Sequence, residues 1–175
     1  VLTQIRGNVL DNDSDPDMST MLVVSAPGTY IGTYGTLDLS ADGSYRYQLD
    51  ITKTQSLAQD QTVDDVFAYT ATDGVASADS TLTLRIAGSN DTPVATADSG
   101  TISEDAAVPL TGSVLGNDGD VDAGTVLQVG NPGNRLGSYG TLNLVANGQY
   151  NYELVSGNGV QSLAAGEVAH DVFSY

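Results

Sequence analysis

The order of apolar and polar residues along this chain follows the two-residue period of β-strands. Leu82, Leu84 and Ile86 alternate with polar residues in one such stretch. Because successive side chains of a strand point to opposite faces, this alternation predicts a strand with one buried face. Similar short stretches recur between Gly, Asn and Asp residues, whereas a helical period is hard to find. The pattern therefore predicts an all-β protein built as a sandwich of antiparallel strands.

The chain contains the same sequence pattern twice. Four segments recur in the same order, namely 7–17 as 112–122, 34–37 as 139–142, 43–47 as 148–152 and 65–69 as 171–175. The offset is 105 residues for the first pair and 106 for the last, so one residue is inserted between Leu154 and Ser162. A fixed period is typical of a tandem array of one structural unit. We therefore expect two domains, 1–91 and 92–175, divided where Pro93 ends a strand.

A complete unit, assembled from both copies, is predicted to contain seven strands. Their predicted ranges are 101–110, 112–115, 125–129, 140–144, 149–154, 65–71 and 80–87. Asp42-Gly43 and Asn147-Gly148 fall between alternating stretches, and such pairs are strong hairpin signals. The first copy lacks most of the first predicted strand and the second copy lacks the last one. We therefore expect both sandwiches to be incomplete at the ends of this sequence.

The composition is strongly acidic, with 22 Asp and Glu residues against five Lys and Arg and a formal charge of −17. Only Glu104, Glu153 and Glu167 are Glu; the others are Asp, a turn-prone residue that forms helices poorly. This balance excludes a basic surface for nucleic acid and predicts self-repulsion unless cations neutralise it. The chain has no Cys for disulfides. No apolar run approaches the roughly 20 residues of a membrane helix, so we expect no direct membrane insertion.

The acids concentrate in loops at repeated positions. In a sandwich with up-and-down connections, several of these loops meet at the linker, so we expect a shared site at the domain junction. Carboxylate and amide oxygens without His or Cys favour Ca²⁺ over Mg²⁺ or transition metals. The predicted ligands are Asp13, Asp15, Asp17, Asp73, Asn90, Asp91, Asp98, Glu104, Asp105, Asn117, Asp118, Asp120 and Asp122. Asp60, Asp64 and Asp65 could add to them.

Other roles for these acids stay open. Asp residues form Asx turns, and Asp73 suits a plain turn as well as a metal site. The Asp-x-Asp-x-Asp runs are not EF-hands, because the sixth position is Met18 or Ala123 instead of Gly and the twelfth is Val24 or Val129 instead of Glu. A solvated acidic surface, as in salt-adapted proteins, would explain the charge but not its repeated positions.

Several motifs in order carry a family resemblance. Gly-x-Val-Leu-x-Asn-Asp-x-Asp-x-Asp, Tyr-Gly-Thr-Leu, Gly-x-Tyr-x-Tyr and Asn-Asp-x-Pro-Val-Ala together resemble VCBS-type repeats of large RTX-type bacterial surface adhesins. The resemblance spans essentially the whole chain. It implies tandem seven-stranded Greek-key β-sandwiches of the cadherin and immunoglobulin type, an extracellular location on the bacterial surface, and interdomain calcium that stiffens a stalk. Asp11 and Pro16 become Gly116 and Val121, a departure that leaves the ligands of the second copy open.

No catalytic pattern is evident. His170 is the only His, and the nucleophile elbow and zinc-protease motifs are absent. We therefore predict a non-enzymatic calcium-stabilised spacer whose partners are the neighbouring repeats of the same chain. A carbohydrate- or surface-binding module is an alternative, although the chain has no Trp for an aromatic platform. A third is a filament subunit whose missing strands come from other copies.

Overall fold

The computed structural model describes residues 3–17, 20–157 and 159–175. The chain separates into two compact units, Val1–Asp91 and Thr92–Tyr175. Both consist of short antiparallel strands, and within the described ranges the only helical segments are single 3₁₀ turns at Ile51–Lys53 and Val160–Ser162. Neither turn is long or apolar enough to cross a membrane. The all-β architecture predicted from the alternating pattern is confirmed.

Within its described residues, the first unit contains seven strands in two sheets. They are β1 (Gln4–Asn8), β2 (Val23–Val24), β3 (Gly28–Ile31), β4 (Gly35–Leu39), β5 (Ser44–Leu49), β6 (Thr62–Thr72) and β7 (Ser77–Ala87). The strand orders are β1-β5-β4-β3 and β2-β6-β7. Leu37 and Tyr47 of the first sheet and Phe67 and Leu84 of the second are buried in one core. The inward side chains of the two sheets thus form a sandwich interior.

The second unit repeats the larger of these sheets. Its strands are β8 (Leu110–Ser113), β9 (Gly133–Leu136), β10 (Gly140–Leu144) and β11 (Gln149–Leu154). Their order, β8-β11-β10-β9, is that of β1-β5-β4-β3. Val114, Val129, Leu142 and Leu144 form the core, and Phe173 packs against it. Residues 171–175, which align with part of β6, lie beside the sheet outside regular strand structure.

Some predicted strands are correct and others are wrong. The hairpin strands 140–144 and 149–154 have the predicted bounds. The predicted strand 101–110 is absent except for Leu110, and Pro109, which lacks the N–H that a ladder requires, immediately precedes β8. Residues 125–129 form no strand either, although the Val129 N–H donates to the Ala146 carbonyl at 2.9 Å. Conversely, β3 and β9 were not predicted, because Gly and Pro near their starts indicate turns.

Two glycines of the hairpin turns determine where the acid loops begin. Gly43 has φ +81° and Gly148 φ +85°, a left-handed conformation that suits Gly. Their carbonyls accept hydrogen bonds from the N–H groups of Val9 and Val114 at 2.9 and 3.0 Å. Val9 and Val114 are buried. Each acid loop therefore leaves the end of β1 or β8 beside a hairpin turn.

Candidate metal sites

The acid loop of the first unit and the neighbouring hairpin turn form a shallow concavity. Asn8 connects them, because its amide donates to the Asp42 carbonyl at 2.9 Å and its Oδ1 accepts from the Leu10 N–H at 2.8 Å. The acids that line the concavity are Asp11, Asp13, Asp15 and Asp42. Two predicted ligands, Asp13 and Asp15, are therefore brought together with two acids that were not predicted. Asp17 is exposed, and Met18 lies outside the described residues.

A tyrosine of β6 contacts this loop. The Tyr69 hydroxyl lies 3.0 Å from both Asp13 Oδ2 and the Val9 carbonyl oxygen. Burial, together with the Asp13 carboxylate, raises the pKa of Tyr69. Tyr69 is not among the ligands predicted from the sequence. Its place at the end of the repeated Asp-Val-Phe-x-Tyr motif was the only available signal.

The middle acid of each Asp-x-Asp-x-Asp run makes the same local turn. Asp15 Oδ1 accepts a hydrogen bond from the Asp17 N–H at 2.7 Å, and Asp120 Oδ1 accepts one from the Asp122 N–H at 2.8 Å. These are Asx turns, which bend the chain through a side-chain contact two residues on. The two loops thus share a local conformation as well as a spacing. Asp122 is almost fully buried, with 4% of its surface exposed.

Asp73 has the turn-forming role that the sequence left open. Its Oδ1 accepts hydrogen bonds from the N–H groups of Ala76 at 2.6 Å and Val75 at 2.8 Å. These two bonds lower the pKa of Asp73. The residue closes the connection between β6 and β7, and its contribution to a metal site stays a prediction.

In the second unit, the segment before β8 packs along the acid loop. Val94 and Gly119 exchange backbone hydrogen bonds of 2.8 and 3.0 Å. The Thr96 N–H donates to Asp118 Oδ1 at 2.7 Å. This pairing brings residues that are more than 20 positions apart in sequence next to each other.

Several oxygens gather around the hydroxyl of Tyr175. This hydroxyl lies 3.0 Å from Asp98 Oδ2 and 3.1 Å from the Thr96 carbonyl oxygen, and Asp118 also interacts with it. Burial and the Asp98 and Asp118 carboxylates raise the pKa of Tyr175 to about 12. Asn117 donates to a carbonyl of the same segment. Asp98, Asn117 and Asp118, all predicted ligands, therefore lie in one neighbourhood.

The remaining predicted ligands have more diverse surroundings. Oε2 of Glu104 is shielded from solvent and has no hydrogen-bond partner in the part of the chain that the structure describes. The Glu104 carbonyl accepts from the Gln161 side chain at 2.8 Å. Asp105 is exposed. In the linker, the Asn90 amide donates to the Asp91 carbonyl.

The donor chemistry of these loops suits calcium. Among the described residues, no group of three or more His, Cys, Asp or Glu is arranged to hold a metal ion. The groups that do come together combine carboxylates with backbone carbonyl oxygens, as Asp98, Asp118 and Thr96 do. Ca²⁺ accepts such mixed sets of hard oxygen donors and completes its shell with water. The full predicted ligand set and the shared junction site stay predictions.

Asp65 occupies a different position from the loop acids. It is buried, with 2% of its surface exposed. Its Oδ1 accepts from the Thr33 N–H at 2.8 Å, and its Oδ2 accepts from the Tyr34 N–H at 3.0 Å and the Tyr47 hydroxyl at 2.6 Å. Asp65 therefore ties β6 to the turn between β3 and β4. A buried carboxylate that accepts three hydrogen bonds stabilises the fold and is not available to an ion in the loops.

The second unit contains the same arrangement. Asp171 accepts hydrogen bonds from the Tyr152 hydroxyl at 2.7 Å and from the backbone N–H groups of Ser138, Tyr139 and Gly140. Three of the repeated motifs meet in this contact, namely Tyr-Gly-Thr-Leu, Gly-x-Tyr-x-Tyr and the motif that begins with Asp171. Their repetition thus has a structural cause independent of metal.

Comparison with known proteins agrees with this duplicated architecture. The family model described as bacterial cadherin-like domain matches residues 1–88 and again residues 90–175. The chain is also similar to the calcium-binding lectin RapA2 of Rhizobium johnstonii. The two are 29% identical over 199 aligned residues, covering 98% of this chain and 81% of the lectin. With two matches that span almost its entire length, the chain belongs to the bacterial cadherin-like domain family.

Proposed function

We propose that this chain is a calcium-stabilised structural module of an extracellular bacterial surface adhesin. The observation that carries the proposal is the acid loop, which makes the same Asx turn in both domains. Beside it, a tyrosine hydroxyl bonds to a carboxylate, that of Asp13 in the loop of the first domain and that of Asp98 before β8 in the second. The likeness to a calcium-binding lectin supports calcium as the ion. Extracellular calcium modules typically have a Kd of about 10⁻⁴ to 10⁻³ M, so the calcium concentration outside the cell would be enough to occupy such a site.

The ion would act first on the charge of the loops. With a formal charge of −17, the chain repels itself wherever carboxylates gather. In the first domain, Asp13 and Asp15 would hold calcium with help from Asp11 and Asp42. In the second domain, Asp98 and Asp118 would hold it together with a backbone carbonyl. Binding would link the segment before β8 to the loop after it, and so stabilise the folded domain.

The ion would act next on the linker. Ordering a linker costs conformational entropy, which charge-assisted contacts to a cation can offset. We propose that Asn90 and Asp91 contribute oxygens from the linker and that the second domain contributes the rest. Calcium would then hold neighbouring repeats of the same chain at a fixed angle. The resulting function is that of a spacer without catalytic activity.

Thermal unfolding and small-angle scattering, first with calcium and then with chelator, test this proposal. Saturating calcium is expected to raise Tm by about 5 to 15 °C, since 10 to 100 times Kd stabilises by about 1.4 to 2.7 kcal/mol. Chelation should also give a shorter, more bent particle. Asp118→Ala and Asp91→Ala should reduce both differences, whereas Asp79→Ala removes an exposed acid of β7 and should not. An unchanged Tm on calcium addition to the wild-type chain would contradict the proposal.

Carbohydrate binding is a second candidate, favoured by the likeness to a lectin over 98% of this chain. A loop calcium with water in its shell could accept sugar hydroxyls as ligands in place of that water. Binding to a glycan array or to bacterial surface polysaccharide should then require calcium and disappear with chelator. If calcium stabilises the chain but the chain binds no glycan, the carbohydrate-binding candidate is excluded and the spacer role remains.

A further inference from the structure

Tyr69 and Tyr175 occupy equivalent positions in the two repeats, 106 residues apart. Each ends the motif Asp-Val-Phe-x-Tyr, and each hydroxyl reaches an acid near the loop of its own domain. Their hydroxyls are the points at which this motif contacts the predicted calcium ligands. The tyrosine position is therefore repeated, whereas its acid partner lies in the loop after β1 in the first domain and in the segment before β8 in the second.

The distances in the two contacts agree. Tyr69 lies 3.0 Å from Asp13 Oδ2, and Tyr175 lies 3.0 Å from Asp98 Oδ2. In each case the second neighbour is a backbone carbonyl, that of Val9 or Thr96, at 3.0 or 3.1 Å. A hydroxyl has one proton to donate, and a carboxylate is the stronger acceptor. Only 7% of Tyr69 is exposed, so its bond is partly protected from water.

We propose that Tyr69 and Tyr175 are positioning residues for calcium, a role that rests on the proposed function. Each hydroxyl fixes one oxygen of Asp13 or Asp98 and so orients the carboxylate before the ion arrives. A carboxylate held in this way loses less freedom on binding, and outer hydrogen bonds of this kind are typically worth about 10- to 100-fold in metal affinity.

The test uses the full chain with Tyr69→Phe and Tyr175→Phe, because Phe keeps the ring and removes only the hydroxyl. Tyr45→Phe is the matched control, since the Tyr45 ring packs over Gly7 in the sheet. Calcium affinity is measured by isothermal titration calorimetry. Each of the two variants should weaken calcium binding by about 10-fold in its own domain. The control should bind as the wild type does.

Terbium provides a spectroscopic readout of whether each tyrosine lies close to a bound ion. Tb³⁺ substitutes for Ca²⁺ at oxygen sites, and a nearby tyrosine excites its luminescence. Tyr69→Phe and Tyr175→Phe should each lose part of the tyrosine-excited emission at saturating Tb³⁺, whereas Tyr45→Phe should keep it.

The outcomes separate this inference from the proposed function. A wild-type chain that binds no calcium would overturn both. Calcium binding with equal affinity in the wild type and both variants would overturn the positioning role alone. A lower Tm of the calcium-free variants without any loss of affinity would also overturn it, because the hydroxyls would then serve only the fold.

Discussion

At the scale of single residues, adjacent acids of this chain have unrelated roles. Asp64 lies on the outer face of β6, where its Oδ1 is 2.9 Å from Nε of Arg85. Asp65 lies on the inner face and binds the turn before β4. The strand period alone separates the two side chains, so neighbours in sequence face water and core respectively.

Asp65→Asn should lower the free energy of unfolding by about 2 to 3 kcal/mol. In the variant, the Asn NH₂ group would face N–H or O–H donors that now bond to a carboxylate oxygen. Those donors would lose their hydrogen bonds. Asp64→Asn is the matched control and should cost less than about 1 kcal/mol, because exposed ion pairs contribute little. Urea denaturation at fixed calcium measures both, and equal effects would contradict the assigned role of Asp65.

Asp171 should make the second domain sensitive to acid. Burial acts to raise its pKa, but hydrogen bonds from Tyr152 and three backbone N–H groups outweigh burial and lower it. A lowered folded-state pKa gives a stabilisation that is present above the unfolded-state value of about 3.9 and is lost as pH falls through the folded-state value. In the presence of chelator, the urea concentration at the midpoint of unfolding should therefore decrease as the pH is lowered below about 4. Asp171→Asn should show a weaker fall, and an unchanged pH profile in this variant would argue against the effect.

At the scale of elements, the central hairpins depend on close packing against glycine. A Cβ at Gly35 would lie 2.5 Å from the Gln48 carbonyl oxygen and from the Tyr47 hydroxyl oxygen. Gly140 has the same surroundings in the second unit, formed by Tyr152 and the Glu153 carbonyl. The repeated Tyr-Gly-Thr-Leu motif thus needs its glycine for space.

Gly35→Ala should lower the free energy of unfolding by about 1 to 3 kcal/mol, the usual cost of overpacking. Gly28→Ala is the control within the same sheet, because no atom of the described chain lies within 4 Å of a Cβ at this position. Chemical denaturation of both variants measures the difference. Equal destabilisation of the Gly28 and Gly35 variants would show that crowding around Gly35 is not the cause.

Strong local signals predicted some elements, whereas contacts between distant residues could not be read from the sequence. Alternation around the short Asn-Gly turn gave the bounds of β10 and β11, but β9 was missed although it pairs with β10, because Gly and Pro near its start indicate a turn. Residues 125–129 are rich in apolar residues too, yet such a stretch becomes a strand only where a neighbour completes its ladder. The candidate sites follow the same rule, since the acid spacing was visible whereas the contact of Tyr69 with Asp13 spans 56 positions.

At the scale of the whole molecule, net charge should govern the stability of the calcium-free chain. A charge of −17 opposes compaction, and salt screens that repulsion. In chelator, raising NaCl from about 0.02 to about 0.5 M should raise Tm, because the Debye length falls from about 20 Å to about 4 Å. With calcium bound, the increase should be smaller. Differential scanning calorimetry tests this, and a Tm independent of salt in chelator would contradict it.

The pairing of β6 with β7 has a consequence for a molecule under tension. The two strands pair over eleven consecutive residues, from Thr62 opposite Ala87 to Thr72 opposite Ser77. When β7 is pulled along its own axis, these pairs share the load and must rupture together, whereas pairs peeled from one end break in turn. In the proposed spacer, resistance to pulling would therefore depend on the length of this one hairpin.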